Sequence, residues 1–251
     1  MSKLIDAYLW GYQHYEAADN SFRKFKEFYQ NSDIFVRVDN DGDYENYETV
    51  AKKYNANISK TEIKIGYPGN FNEKDIGRAS WPKENTFEWF NGIYLACKQS
   101  TAKYMIILEE DVFLLKPISI IDTDFGVAVL KSGNQIPDRI MNFIKSVNGN
   151  TSMTRYGCCG GCIINVSEFI SNWETHKDEL WSEYDDILKF TKLIGWSDCV
   201  LQVIMQMGGS SVVYNEQLVE PWMEDEGWIN DDWRNYEIIN YLKDIEEIRK
   251  L

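Results

Sequence analysis

The chain has 251 residues, 44% of them hydrophobic and 26% charged, enough for a substantial core within one large domain. A net charge of −14 argues against a nucleic-acid or anionic-membrane binder, which needs a basic face, and no apolar run approaches the roughly 20 residues that span a bilayer. The N-terminus has only short apolar pieces and an early Asp6, so it does not read as a secretory signal, and a soluble, cytoplasmic protein is expected.

Taken in order, "KLIDAYLWGY" reads as a strand and loop. "ADNSFRKFKEFYQNS" reads as an amphipathic helix, with Phe22, Phe25, Phe28 and Tyr29 on one stripe and Asp19 or Asn20 as its N-cap. "DIFVRVDN" is a strand that runs into the polar turn "DNDGD", followed by the helix "ENYETVAKKYN" and a strand within "NISKTEIKIGY". "WPKENTFEWFNGIYLACKQS" is a third helix with Pro82 near its start, and "KYMIILEED" is the strand after it. Such alternation predicts a parallel α/β sheet, whose ligands bind beyond the carboxyl ends of its strands. Both acidic clusters, "DNDGD" and "EED", fall at such ends.

After Pro117 short strands ("FGVAVLKS", "GGCIINV") mix with the helices "VSEFISNWETHKDELWSEYDDILKF" and "SDCVLQVIMQMGG", and a Trp- and acid-rich tail ends as a helix. No linker or repeat divides the chain, so residues 1–251 are expected to form a single domain, with residues 1–117 and 118–251 as its halves. Five cysteines are too few at ligand spacing for a zinc site, even with Cys158, Cys159 and Cys162 close together, and buried thiols are expected. His14 and His176 are the two histidines, and neither lies near a serine or cysteine motif, which leaves a triad hydrolase without support. No P-loop or dinucleotide fingerprint occurs.

The informative stretch is "YMIILEEDVFLLKP", where Glu109, Glu110 and Asp111 interrupt core-like sequence. Burying unpaired carboxylates costs several kcal/mol each, so these acids must be exposed, paired or bound to a cation. In an extended chain Glu109 and Asp111 share one side, and hard oxygen ligands at this spacing suit Mg²⁺ or Mn²⁺.

This stretch resembles the DxD segment of GT-A-fold glycosyltransferases. "IFVRVDNDGDYENYETVAKKYN" is similar to their strand, acidic turn and helix, and "FNGIYLACKQSTAKYMIIL" to the helix before the DxD strand. The first acid departs from the pattern, being Glu109 rather than Asp, which bears on the metal's identity. The resemblance implies a GT-A-like α/β domain with a mostly parallel central sheet flanked by helices and a Rossmann-like N-terminal half. It implies transfer of a sugar from a nucleoside-diphosphate sugar, UDP- or GDP-linked, to a glycan or other hydroxyl acceptor, with Mn²⁺ or Mg²⁺ held by Glu109 and Asp111.

On the same resemblance, Asp39 or Asp41 would accept a nucleobase imide, although "DNDGD" is equally good turn chemistry. Tyr12, Arg78 and Glu110 would join the nucleotide site, Arg78 otherwise being a surface arginine. "YGCCGGCIINVSEFI" is similar to the glycine-rich strand beside the donor sugar, where glycine admits a close ligand. Asp198 matches the acid of the acceptor side and would be the catalytic base, implying inversion; otherwise it or Ser197 caps a helix. Trp222, Trp228 and Trp233 would stack on an acceptor sugar or pack back on the sheet. A catalytically silent sugar- or nucleotide-sugar-binding protein and a sugar nucleotidyltransferase are the alternatives.

Overall fold

A computed structural model describes residues 4–65, 83–110, 112–119, 125–128, 135–155, 160–190, 196–215, 217–219 and 237–239. The first half alternates as expected: β1 (Ile5–Gly11), α1 (Tyr15–Phe28), β2 (Ile34–Val38), α2 (Tyr44–Tyr54), β3 (Asn57–Lys60), α3 (Lys83–Gln99) and β4 (Tyr104–Leu108). Every residue of β4 is buried, so the strand has helices against both faces and reads as an unbroken apolar run. The second half adds β5 (Phe113–Leu114), β6 (Phe125–Ala128), α4 (Asp138–Ser146), β7 (Ile163–Asn165), α5 (Val166–Phe190), α6 (Trp196–Met207), β8 (Val212–Asn215), β9 (Leu218–Val219) and β10 (Ile238–Ile239).

Seven strands form one sheet in the order β3-β2-β1-β4-β7-β6-β8. β1 pairs in parallel with β2 and β4, β2 with β3 and β6 with β8, while β7 runs antiparallel to β4 and β6. The central sheet is thus mostly parallel, and strands from both halves of the chain share it. A second, three-stranded sheet has the order β5-β10-β9.

Alternation along the strands sorts the core into two layers. Ile5, Ala7, Leu9, Val36, Val38, Ile106 and Leu108 face α1 and α2, meeting Phe22, Phe25 and Tyr47. Tyr8, Phe35, Met105, Ile107 and Ile164 face the other layer, meeting Phe90, Ile93, Trp173, Val200 and Ile204 of α3, α5 and α6. Cys97 and Cys162 are buried in this second layer, as expected, and burial pushes the Cys97 thiol up.

Three local expectations change. Helix α1 begins at Tyr15, several residues before Asp19 and Asn20, which therefore lie inside it and cap nothing at its start. Within the tail, Ile238–Ile239 is a strand, β10, which pairs antiparallel with β5, whereas residues 220–236 and 240–251, with the helix expected at the end, lie outside the described ones. At Gly161 the glycine requirement comes from packing. Its φ is +80°, and a Cβ there would lie 2.7 Å from Leu218 Cδ1 and 3.1 Å from Ile238 Cγ2. The close neighbour of this glycine is the small sheet.

Candidate active site

Because β1, β2 and β4 are parallel and adjacent, their following segments leave one edge of the sheet together. Gly11 is in register with Val38, and Leu9 with Leu108. Residues 12–14, the "DNDGD" turn and the acidic pair Glu109 and Glu110 therefore meet, as the strand-end argument requires.

The meeting is hydrogen-bonded in detail. Glu110 Oε1 accepts the backbone N–H groups of Tyr12 (2.6 Å), Gln13 (3.1 Å) and His14 (3.2 Å), and also the hydroxyl of Tyr47. Tyr47 lies under the strand end with no solvent exposure. Burial first, and the Glu110 charge second, push its phenol far up, so it remains a proton donor. Gly11 makes room for that ring, since a Cβ there would lie 2.6 Å from it. On the opposite side of the segment, Asp39 N–H donates to Gly11 O (2.9 Å) and Asp43 N–H to Tyr12 O (3.0 Å). Gly42 permits this approach, for a Cβ there would lie 2.7 Å from Tyr12 O.

Asp39 is fully buried, and both of its oxygens are engaged: Oδ1 accepts Asp41 N–H and Oδ2 accepts Ile65 N–H, each at 2.9 Å. The first bond is an Asx turn, so the turn reading of "DNDGD" holds. Asp41 is solvent-facing and paired with Lys64, whose ammonium that carboxylate holds above its ordinary value. Asp43 precedes α2 and accepts Asn46 Nδ2 (2.6 Å). Tyr12, expected at the nucleotide site, stacks on Trp10, ring centroids 6.2 Å apart and nearly parallel. Beneath Trp10, Arg37 on β2 is ion-paired with Glu88 of α3.

Glu109 is half-buried at the end of β4, and Val112 N–H turns back to its carbonyl (3.1 Å). Among the described residues no group of three or more His, Cys, Asp or Glu side chains is placed to hold a metal ion. Asp111, Arg78, Trp222, Trp228 and Trp233 lie outside the described residues. Asp198 is in the first turn of α6, but its side chain is not among those described. The sequence reading missed Lys64, the cation of this edge. Its signal was a lysine just past β3 opposite an acidic turn. The partners of Glu110 carried no local signal, being 96 to 98 residues away at the start of α1.

No family model and no curated protein sequence matches the chain. Solved structures do. The galactosyltransferase LgtC, in complex with donor and acceptor sugar analogues, aligns with a TM-score of 0.50 and 13% identity over 95% of this chain and 87% of that one. The apo-form glycosyltransferase GlyE of Streptococcus pneumoniae aligns with a TM-score of 0.50 and 11% identity over 96% of this chain and 55% of that one. At such identities the likeness is one of fold. Among the described residues no helix is long and apolar enough to cross a membrane. The chain has a mixed α/β, GT-A-like fold with a mostly parallel central sheet flanked by helices.

Proposed function

We propose that the protein is a glycosyltransferase that moves a sugar from a nucleoside-diphosphate sugar, UDP- or GDP-linked, to a glycan or other hydroxyl acceptor. The observation that carries this reading is the joining of the acidic end of β4 to the loop after β1 through Glu110, beside the buried Asp39, at the carboxyl edge of a GT-A-like sheet. On this reading Asp39 serves as the imide acceptor and Glu109, at the same edge, as one ligand of the metal.

Asp39, the acid that follows β2 at this edge, is assigned to accept the nucleobase N–H. Tyr12, Asp41 and Arg78 complete the nucleotide side. A divalent cation fits the donor set. Glu109 and Asp111 are hard oxygen ligands at a strand end, and Mg²⁺ or Mn²⁺ is commonly held by one or two carboxylates together with substrate phosphates. Bound there, the ion would neutralise charge on the donor diphosphate. Asp198 is assigned to the acceptor side as the base, with inversion at the anomeric carbon.

Calorimetry of the full chain against UDP- and GDP-sugars, with and without Mn²⁺, tests the reading. Mn²⁺-dependent binding of one donor class is expected, lost in Asp111→Asn, with slow donor hydrolysis in the same samples and an inverted product once an acceptor is found. Binding without hydrolysis or transfer would favour a silent nucleotide-sugar-binding protein. No binding to any donor would overturn the proposal.

A further inference from the structure

We propose that Glu110, the middle acid of "EED", is a positioning residue that sets the distance between the base end and the diphosphate end of the donor site, leaving metal ligation to its two neighbours. This rests on the nucleotide-sugar reading above. The argument begins with α1. The first N–H groups of a helix have no intrahelical partners, and negative charge is favoured there. At α1 the first turn carries its own acid, Glu16, but His14 at the capping position makes no side-chain cap bond, and its N–H, like those of the two residues before it, is left for an acceptor from outside the helix. The acceptor comes instead from the end of β4. One oxygen of Glu110 takes the three consecutive amides of residues 12–14 at 2.6 to 3.2 Å, with the Tyr47 hydroxyl as a fourth donor.

The consequence is mechanical. Residues 11–14 are held from both sides: the amides of residues 12–14 bind Glu110, and the carbonyls of Gly11 and Tyr12 accept Asp39 and Asp43 N–H. The stacked Trp10 and Tyr12 belong to this clamped segment, and Glu109 lies one residue from the clamp. A nucleoside-diphosphate sugar has its base at one end and its diphosphate a few ångströms along. The side chain of Glu110 spans the corresponding parts of the protein and ties them together. Four donors on one oxygen also lower the repulsion that three adjacent carboxylates would otherwise exert on each other. An acid so engaged faces the protein with that oxygen, so the three acids are divided by role, and the middle one is structural to the site.

The test uses the full chain with UDP and GDP as probes and Mn²⁺ as the metal. In Glu110→Ala, the amides of residues 12–14 are expected to exchange with solvent about tenfold faster or more, and the nucleotide Kd to rise about tenfold or more. Mn²⁺ affinity measured without nucleotide should stay within about threefold of wild type, as a non-ligand requires. Glu110→Gln keeps an acceptor oxygen at the same reach and should recover part of both the amide protection and the nucleotide affinity. If Glu110→Ala does not fold, Tyr47→Phe removes one donor of the four, and a smaller rise in Kd of the same sign supports the role. Faster exchange with unchanged nucleotide affinity would overturn positioning while leaving the proposed function standing. Loss of Mn²⁺ affinity together with nucleotide affinity would make Glu110 a ligand and overturn it as well. A wild-type chain that binds neither nucleotide would remove the proposed function, and this inference with it.

Discussion

Both oxygens of Asp39 are occupied by backbone amides, from Asp41 and Ile65, at a position without solvent exposure. Removing the carboxylate therefore has two effects that must be separated. Asp39→Ala leaves the buried Ile65 N–H without its acceptor, at roughly 1–3 kcal/mol, and frees the Asp41 N–H toward solvent, so stability is expected to fall by at least about 1 kcal/mol in urea denaturation. The same substitution should weaken nucleotide binding by about 1–3 kcal/mol if the carboxylate also reads a base. Calorimetry at a temperature where the variant remains folded distinguishes the two, and unchanged affinity in a destabilised variant would confine Asp39 to holding its loop. Lys64, paired with Asp41 at the surface, carries no comparable share of stability, because solvent screens exposed ion pairs.

At the scale of elements, α3 shows how the sheet edge is supported from below. Gly92 sits mid-helix, where alanine would ordinarily be preferred by about 1 kcal/mol. Here a Cβ would lie 2.4 Å from the Tyr8 hydroxyl oxygen and 2.7 Å from Arg37 Cδ. Tyr8 is a buried ring on β1, and Arg37 is held by Glu88 of α3, so neither yields easily. Overpacking of this kind costs about 1–3 kcal/mol and outweighs the helix propensity. Gly92→Ala is therefore expected to lower the melting temperature, and a rise would show that α3 shifts freely on the sheet. The glycine is what lets α3 approach β1 and β2 closely enough for Glu88 to reach Arg37.

For the whole molecule, the aromatic core makes a pH dependence that carboxylates do not. Burial holds the phenols of Tyr8 and Tyr47 well above their ordinary value of 10.0, and raises Tyr184 to about 12. The folded chain keeps these protons at a pH where the unfolded chain has lost them. Stability from this source is full below about pH 10 and declines as the pH rises from there through the folded-state values. Urea denaturation between about pH 8 and 11.5 should therefore show a steep alkaline loss of stability. In a direct titration, the last tyrosines should ionise together with the loss of circular dichroism. Complete phenolate formation in a chain with native dichroism would show that these rings are open to solvent.

The alternation of strand and helix through β4, and the place of the two acidic turns at strand ends, were legible in the sequence because they depend on local periodicity and on apolar runs a few residues long. The Asx turn at Asp39 was legible for the same reason, since its bond spans two residues. The start of α1 was not. The residues just before it are held by Glu110, a carboxylate nearly a hundred residues away that lies beside them where β4 pairs with β1 in its observed register. Nothing in "EED" distinguishes the middle acid from its neighbours, and only the pairing of parallel strands turns it toward the amides of residues 12–14. Gly161 and the strand at Ile238–Ile239 belong to the same class: Leu218 and Ile238 of the small sheet pack where a Cβ at Gly161 would be, far from it in the chain. Local chemistry set the elements, whereas contacts between strands far apart in the chain decided which side chain serves which element.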